Sequence, residues 1–276
     1  MFIPRVGPGP VRMAGVCLVL SVSFALGGCK SMNDVTGSVR LPGASAKPST
    51  MGSDPGSMRA YAESWGQRYD KDPSDKTAAM NYAAALRRMT QYSQATAVLQ
   101  RAAAKHPNDM EVLGAYGKAL ADSQRLREAA EVLSRAHTPE RPNWSILSAQ
   151  GSVADQMGNH AGAQDFYRAA LKINPEEPSV LSNLGLSFAL SKDLRNADAT
   201  LSRAASLPGA DMRVRQNYAL VLALQGKFTE AETVSRQDLD AAQAAANVGA
   251  IRLMIAQSDT WRDIRKLDGK QARSSR

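Results

Sequence analysis

The stretch LSNLGLSFALSKDLRNADATLSRA, residues 181–204, holds two short runs of mixed size separated by a polar break. Large residues stand at Leu181, Leu184, Phe188 and Leu201, and small ones at Gly185, Ala197 and Ala204. The same sizes recur along the chain every 34 residues. Ala95, Ala129, Ala163, Ala197 and Ala231 form one column without slippage, and Ala83, Gly117, Gly151, Gly185 and Ala219 form another twelve residues ahead of it. Leu99, Leu133, Tyr167 and Leu201 follow four residues after the first column, then Ala102, Ala136, Ala170 and Ala204. Ala79, Leu113, Leu147, Leu181 and Arg215 precede the small column, and Pro73, Pro107 and Pro175 close the frame. Pro208 and the pair Pro139 and Pro142 sit one or two residues out of register. A fixed period of this length marks a repeat architecture.

Packing explains the types. Small residues let the two helices of a unit approach closely, larger ones fill the layer between units, and proline stops the second helix before the next begins. The pattern resembles the tetratricopeptide repeat (TPR). The resemblance implies an all-α solenoid of five helix-turn-helix repeats over 76–245. Tyr61, Trp65 and Pro73 match the second-helix columns of a partial repeat at 58–75. Ser235 and Asp238 replace apolar or small residues, so the fifth repeat is degenerate. Residues 246–267, with Val248, Ile251, Leu253, Ile255, Trp261 and Ile264, read as a capping helix over the exposed end of the core.

Outward from the repeats the chain changes character. Residues 1–28 read as an export signal: Arg5 and Arg12 precede the uncharged apolar run Met13 to Leu26. Fourteen helical residues rise ~21 Å, short of the ~30 Å bilayer core. Leu26-Gly27-Gly28-Cys29 resembles a bacterial lipobox, which implies an acylated Cys29 as the mature N-terminus. Cys17 lies inside the signal, so no disulfide framework is expected. The Ser-, Gly- and Pro-rich segment 29–57 lacks the apolar content to order itself and reads as a tether spanning ~30 Å r.m.s..

Aromatic residues make up 5% of the chain, which suits close-packed helices better than strands. Net charge is +8, and +6 without Arg5 and Arg12; of this, +4 lies in the last fifteen residues, with 268–276 as a basic tail. The near-neutral body argues against nucleic-acid binding.

Neither a metal site nor an active site is expected, and no cofactor. His106, His137 and His160 are read as solvated turn residues with no cysteine close by. Gly226-Lys227 lacks the remaining residues of a phosphate-binding loop, and no serine sits in a nucleophile elbow.

In TPR families certain first-helix positions face a concave groove. Carried onto this chain, they give a polar lining in repeats 1–3, including Met80, Asn81, Arg87, Arg88, Glu111, Lys118, Asp122, Ser148, Asp155 and Gln156. In repeats 4 and 5 they give Asn183, Leu186, Leu190, Gln216, Asn217, Leu220 and Leu224. Leu186 and Leu190 are spaced i, i+4, as are Leu220 and Leu224, so each pair shares a helix stripe. Such a stripe suits an amphipathic helix, or an extended peptide whose backbone the asparagines clamp. The other reading makes these leucines core beneath the capping helix.

Signal, lipobox, tether, repeats and basic end together resemble the TadD-type lipoprotein of the tight-adherence (Flp) pilus assembly system. The likeness lies in Asn81-Tyr82-Ala83, Gly185-Leu186-Ser187, Gln216-Asn217-Tyr218-Ala219-Leu220 and Ala231-Glu232. It implies a non-catalytic outer-membrane lipoprotein that acts as pilotin for a secretin. Lys30 agrees with that location, since it is not the aspartate that retains many lipoproteins at the inner membrane. An adaptor for β-barrel assembly, a type IV pilus secretin or cell-wall hydrolases is the alternative, and an enzyme with an unrecognised site is the remote one.

Overall fold

The structure, a computed structural model, describes the backbone of residues 54–274, with side chains through Gln257. The export signal, Cys29 and most of the tether lie outside the described residues. Helix α1 (Pro55–Lys71) leads into five pairs. These are α2 (Lys76–Arg88) with α3 (Tyr92–Lys105), α4 (Met110–Asp122) with α5 (Leu126–Ser134), and α6 (Trp144–Gln156) with α7 (His160–Ile173). Then come α8 (Pro178–Leu190) with α9 (Leu194–Ser206), and α10 (Met212–Leu224) with α11 (Phe228–Ser235). Helix α12 (Ala241–Ser274) ends the described chain. The only extended pairing among the described residues is the isolated bridge Thr138–Arg141.

The 34-residue period governs the ends of the helices as well as their faces. Each first helix starts after a capping side chain: Asp75, Asp109, Asn143, Glu177 or Asp211 accepts a first-turn backbone N–H. Each ends in a left-handed residue, namely Thr90 (φ 58°), Gln124 (61°), Gly158 (81°), Lys192 (67°) and Gly226 (78°). The next N–H then reaches five residues back: Gln91 to Leu86, Arg125 to Leu120, Asn159 to Ala154, Asp193 to Phe188, Lys227 to Leu222, at 2.8–2.9 Å. This is the Schellman ending, which satisfies otherwise orphaned carbonyls. Glycine reaches that conformation freely, whereas a β-branched residue does not. Thr90→Gly is therefore expected to raise stability by ~0.5–1 kcal/mol, because the left-handed cost outweighs the extra chain entropy of glycine. Urea unfolding checks it; a lowered midpoint would count against the account.

Ala95, Ala129, Ala163, Ala197 and Ala231 are fully buried, and Leu99, Leu133, Tyr167 and Leu201 are at most 2% exposed. A Cβ on Gly185 would lie 2.5 Å from Leu201 Cγ, and Gly117 and Gly151 face Leu133 and Tyr167 in the same way. Close approach, not flexibility, is what these glycines provide. At the N-terminal end α1 buries Tyr61, Trp65 and Tyr69 against the first pair, in the place a second helix would take.

Three boundaries differ from expectation, and the degenerate fifth repeat holds an ion pair. Helix α1 already begins at Pro55, within the expected tether, because Asp54 caps the N–H groups of Gly56 and Ser57. Helix α12 begins at Ala241 rather than 246, where Asp240 caps Gln243 and five alanines in six residues favour helix. Its backbone stays helical to Ser274, through most of the expected basic tail. In the fifth repeat Arg215 and Asp238 stand where the second, third and fourth repeats have leucine and alanine. They are partners: Arg215 donates from Nε and Nη2 to both Asp238 oxygens at 2.6 and 2.5 Å. The guanidinium holds the Asp238 carboxyl below its ordinary pKa. The change at Asp238 is thus matched by Arg215, while Ser235 still replaces a large residue and α11 has eight residues, against 13 or 14 in α3, α7 and α9.

Candidate partner-binding site

Each first helix touches the next first helix, α2 to α4, α4 to α6, α6 to α8 and α8 to α10, and among the described residues no second helix touches the next second helix. A stack whose members approach more closely on one side curves toward that side. The first helices therefore line the concave face, and the second helices form the outer one.

At the C-terminal half of this face, Leu190 is 57% exposed and Leu224 41% exposed, while Leu186 and Leu220 are half-buried. Helix α12 packs through Val248 and Ile251 onto Ala219, Leu222 and Phe228, which are other residues. Leu190 and Leu224 are thus not core beneath the cap. Asn183 and Asn217 stand beside them, but each amide already donates to a serine of the preceding repeat: Asn183 to Ser148 Oγ at 3.4 Å and Asn217 to Ser182 Oγ at 2.9 Å. These rungs tie neighbouring repeats, and each leaves the amide oxygen as an acceptor. Asn81 is engaged differently. It accepts from Tyr61 at 2.6 Å and donates to the Thr77 carbonyl at 2.8 Å, which fixes α1 to α2.

The N-terminal half is charged. Arg87 Nε donates to Asp122 in the next repeat at 2.6 Å, Lys76 pairs with Asp109 and Glu111 at 2.7 Å, and Arg88 is exposed. Lys118 donates to Ser145 Oγ at 2.8 Å. A cleft of about 750 Å³ opens among these side chains, bounded by α2, α4, the 136–143 segment and the start of α6.

Asp155, expected in the lining, turns inward instead. It accepts from Tyr167 at 3.1 Å and from Ser187 at 2.8 Å, and lies 2.8 Å from His160 Nδ1, so it joins α6, α7 and α8. Ser187 has no exposed surface, and this small residue of the next repeat makes room for the carboxylate. Burial and the Asp155 charge both raise the pKa of the Tyr167 hydroxyl. An Asp, a His and a Ser meet here, but the serine bonds the carboxylate and not the imidazole. No base is set to activate it. His160 is thus a structural joint rather than a solvated residue. His137 is likewise half-buried against Gln150 at 3.0 Å, and His106 lies 3.3 Å from the Ser74 carbonyl. Among the described residues no group of three His, Cys, Asp or Glu side chains could hold a metal ion, and no helix is long and apolar enough to cross a membrane.

Residues 86–150 match one tetratricopeptide-repeat model and residues 145–177 match a second. The repeats are tetratricopeptide repeats. No curated protein matches the chain in sequence. Among solved structures, PilW, a widely conserved type IV pilus biogenesis factor, is similar at a TM-score of 0.58 and 19% identity, over 70% of this chain and 91% of that one. Pseudomonas aeruginosa pilF gives 0.50 and 22%, over 66% and 81%. Cut9, in the Cut9–Hcn1 assembly of the APC/C, gives 0.57 and 17%, with 70% of this chain spanning 40% of that one. At these identities the likeness is one of fold. The TPR fold is a scaffold for protein–protein interaction, and its concave face here joins an apolar half to a charged one.

Proposed function

We propose that this protein is a non-catalytic scaffold lipoprotein for an envelope pilus or secretion machine, acting as a pilotin-like factor on the outer-membrane secretin of a tight-adherence pilus. Exposure of Leu190 and Leu224 on consecutive first helices is the observation that carries the reading. Two large apolar side chains kept in water on one concave stripe suit a partner that desolvates them. The fold shared with PilW and pilF favours a second reading, in which the client is a type IV pilus secretin. Co-purification from detergent-solubilised envelope tests both. Recovery of a tight-adherence secretin supports the first and of a type IV secretin the second, while recovery of neither contradicts both.

Anchoring through Cys29 belongs to the same reading. One acyl chain holds a membrane marginally, at ~0.8 kcal/mol per buried methylene, and several chains hold firmly. Cys29→Ser is expected to leave the repeats folded and release the protein from the membrane fraction. Incorporation of labelled fatty acid into that variant would contradict the lipobox assignment.

A further inference from the structure

We propose that α12 lies on the surface of an anionic phospholipid bilayer, with an outward apolar stripe in the acyl boundary and its cations among the headgroups. This goes beyond the anchor proposed at Cys29, because it is a membrane contact made by the folded body itself. The starting observation is a helix with two apolar faces, of which the repeats cover one. Ala244 and Val248 are buried and Ile251 is half-buried, and Val248 and Ile251 pack on Ala219, Leu222 and Phe228. Arg252 flanks that contact, its guanidinium 5.2 Å from the centre of the Phe228 ring. On the far side Leu253 is 65% exposed and Met254 60% exposed, next to the exposed Ala246 and Ala250. Leu253, expected in the cap, is thus left in water.

The backbone stays helical to Ser274, so the register continues. Eighteen residues make five full turns of an α-helix, which places Arg262 and Lys266 where Ala244 and Val248 stood. Lys270 and Arg273 follow on that side. The face that packs on the repeats therefore becomes basic. The outward stripe instead stays apolar, since Trp261 comes seven residues after Met254, and Ile264 and Leu267 follow at intervals of three. An apolar stripe opposite a basic face, with tryptophan in the stripe, is the pattern of a helix that lies in the membrane interface. Among the described residues no helix is long and apolar enough to cross a membrane.

Charge and seam chemistry favour a bilayer over a second copy of the chain. The last fifteen residues carry +4, which anionic headgroups attract and a parallel copy would repel. A heptad seam through Ala250, Met254, Trp261 and Ile264 would also include Gln257 and Asp268. Such polar residues weaken a dry seam, whereas the hydrated headgroup layer accommodates them.

The test uses residues 29–276 produced without the export signal, and so without lipid, and reads cosedimentation with vesicles. It is therefore independent of anchoring at Cys29 and of any secretin. The chain is expected to bind vesicles of equal parts phosphatidylethanolamine and phosphatidylglycerol, and ~tenfold or more weakly those of phosphatidylcholine alone. Molar salt should weaken the first binding to a similar degree. Leu253→Glu/Met254→Glu and Lys266→Gln/Lys270→Gln are each expected to cost ~tenfold. The lysine pair lies beyond the packed turns, so it keeps the test valid if the glutamate pair disturbs the fold. No binding, equal binding to phosphatidylcholine, or unchanged binding in both variants overturns the proposal. A chain that ignores vesicles but dimerises, and loses the dimer in Leu253→Glu/Met254→Glu, overturns it in favour of a second copy.

Discussion

Gly185→Leu is expected to abolish cooperative folding of the repeat array. The first added carbon would lie 2.5 Å from Leu201 Cγ and 3.1 and 3.3 Å from its two methyls. Leu201 is fully buried beside Ala197 and Val221, so it has no room to yield. Overpacking of a tight core costs ~1–3 kcal/mol for single methylenes, and here a whole isobutyl group must enter. Its position multiplies the damage. Repeat 4 couples α7 to α10, and in a nearest-neighbour solenoid the loss of a central unit separates the remainder into short, weak arrays. Gly249→Ala is the control: nothing lies within 4 Å of its added carbon, and alanine in a helix gains ~1 kcal/mol over glycine. Thermal unfolding of both variants decides the matter. A normal midpoint for Gly185→Leu would remove the register on which every column rests.

Leu190→Glu/Leu224→Glu is expected to do the opposite, leaving the fold intact and abolishing partner binding. At 57% and 41% exposure these side chains contribute little to the core, so the isolated body should change by no more than ~0.5 kcal/mol. In a complex the same two sites would be desolvated. Two carboxylates placed there lose apolar contact and must be stripped of water, a penalty of several kcal/mol, ~a hundredfold or more in affinity. Under the proposed function, secretin multimers and surface pili should disappear while the protein stays at its normal level. Unfolding or degradation of the variant would return the leucines to the core.

Packing columns were legible in the sequence because close approach selects for size, and size is written in residue type. Gly117, Gly151 and Gly185 show it, each facing the large side chain of its own second helix. The left-handed column was hidden, since Thr90, Gln124 and Lys192 are not residues that announce a positive φ. A capping column of Asp75, Asp109, Asn143, Glu177 and Asp211 carries a signal at the same spacing, since these residue types favour helix starts. Asp238 looked like a plain loss because the sequence does not show that its position touches Arg215. The site was less legible than the fold. Groove positions tell which way a backbone position faces, but Asp155 turned inward because Ser187 of the next repeat left space and Tyr167 offered a donor. The charge left on Lys118 depends on which acids its neighbours have already taken, and that requires geometry.

The central claim is that the partner lies along the first helices. Site-specific photocrosslinking in living cells tests it directly, from Leu190 and Leu224 on the concave stripe and from Ser202 on the exposed surface of α9. If the proposed function holds, a discrete secretin adduct forms from the two leucine positions and none from Ser202. Adducts from Ser202 alone would contradict it.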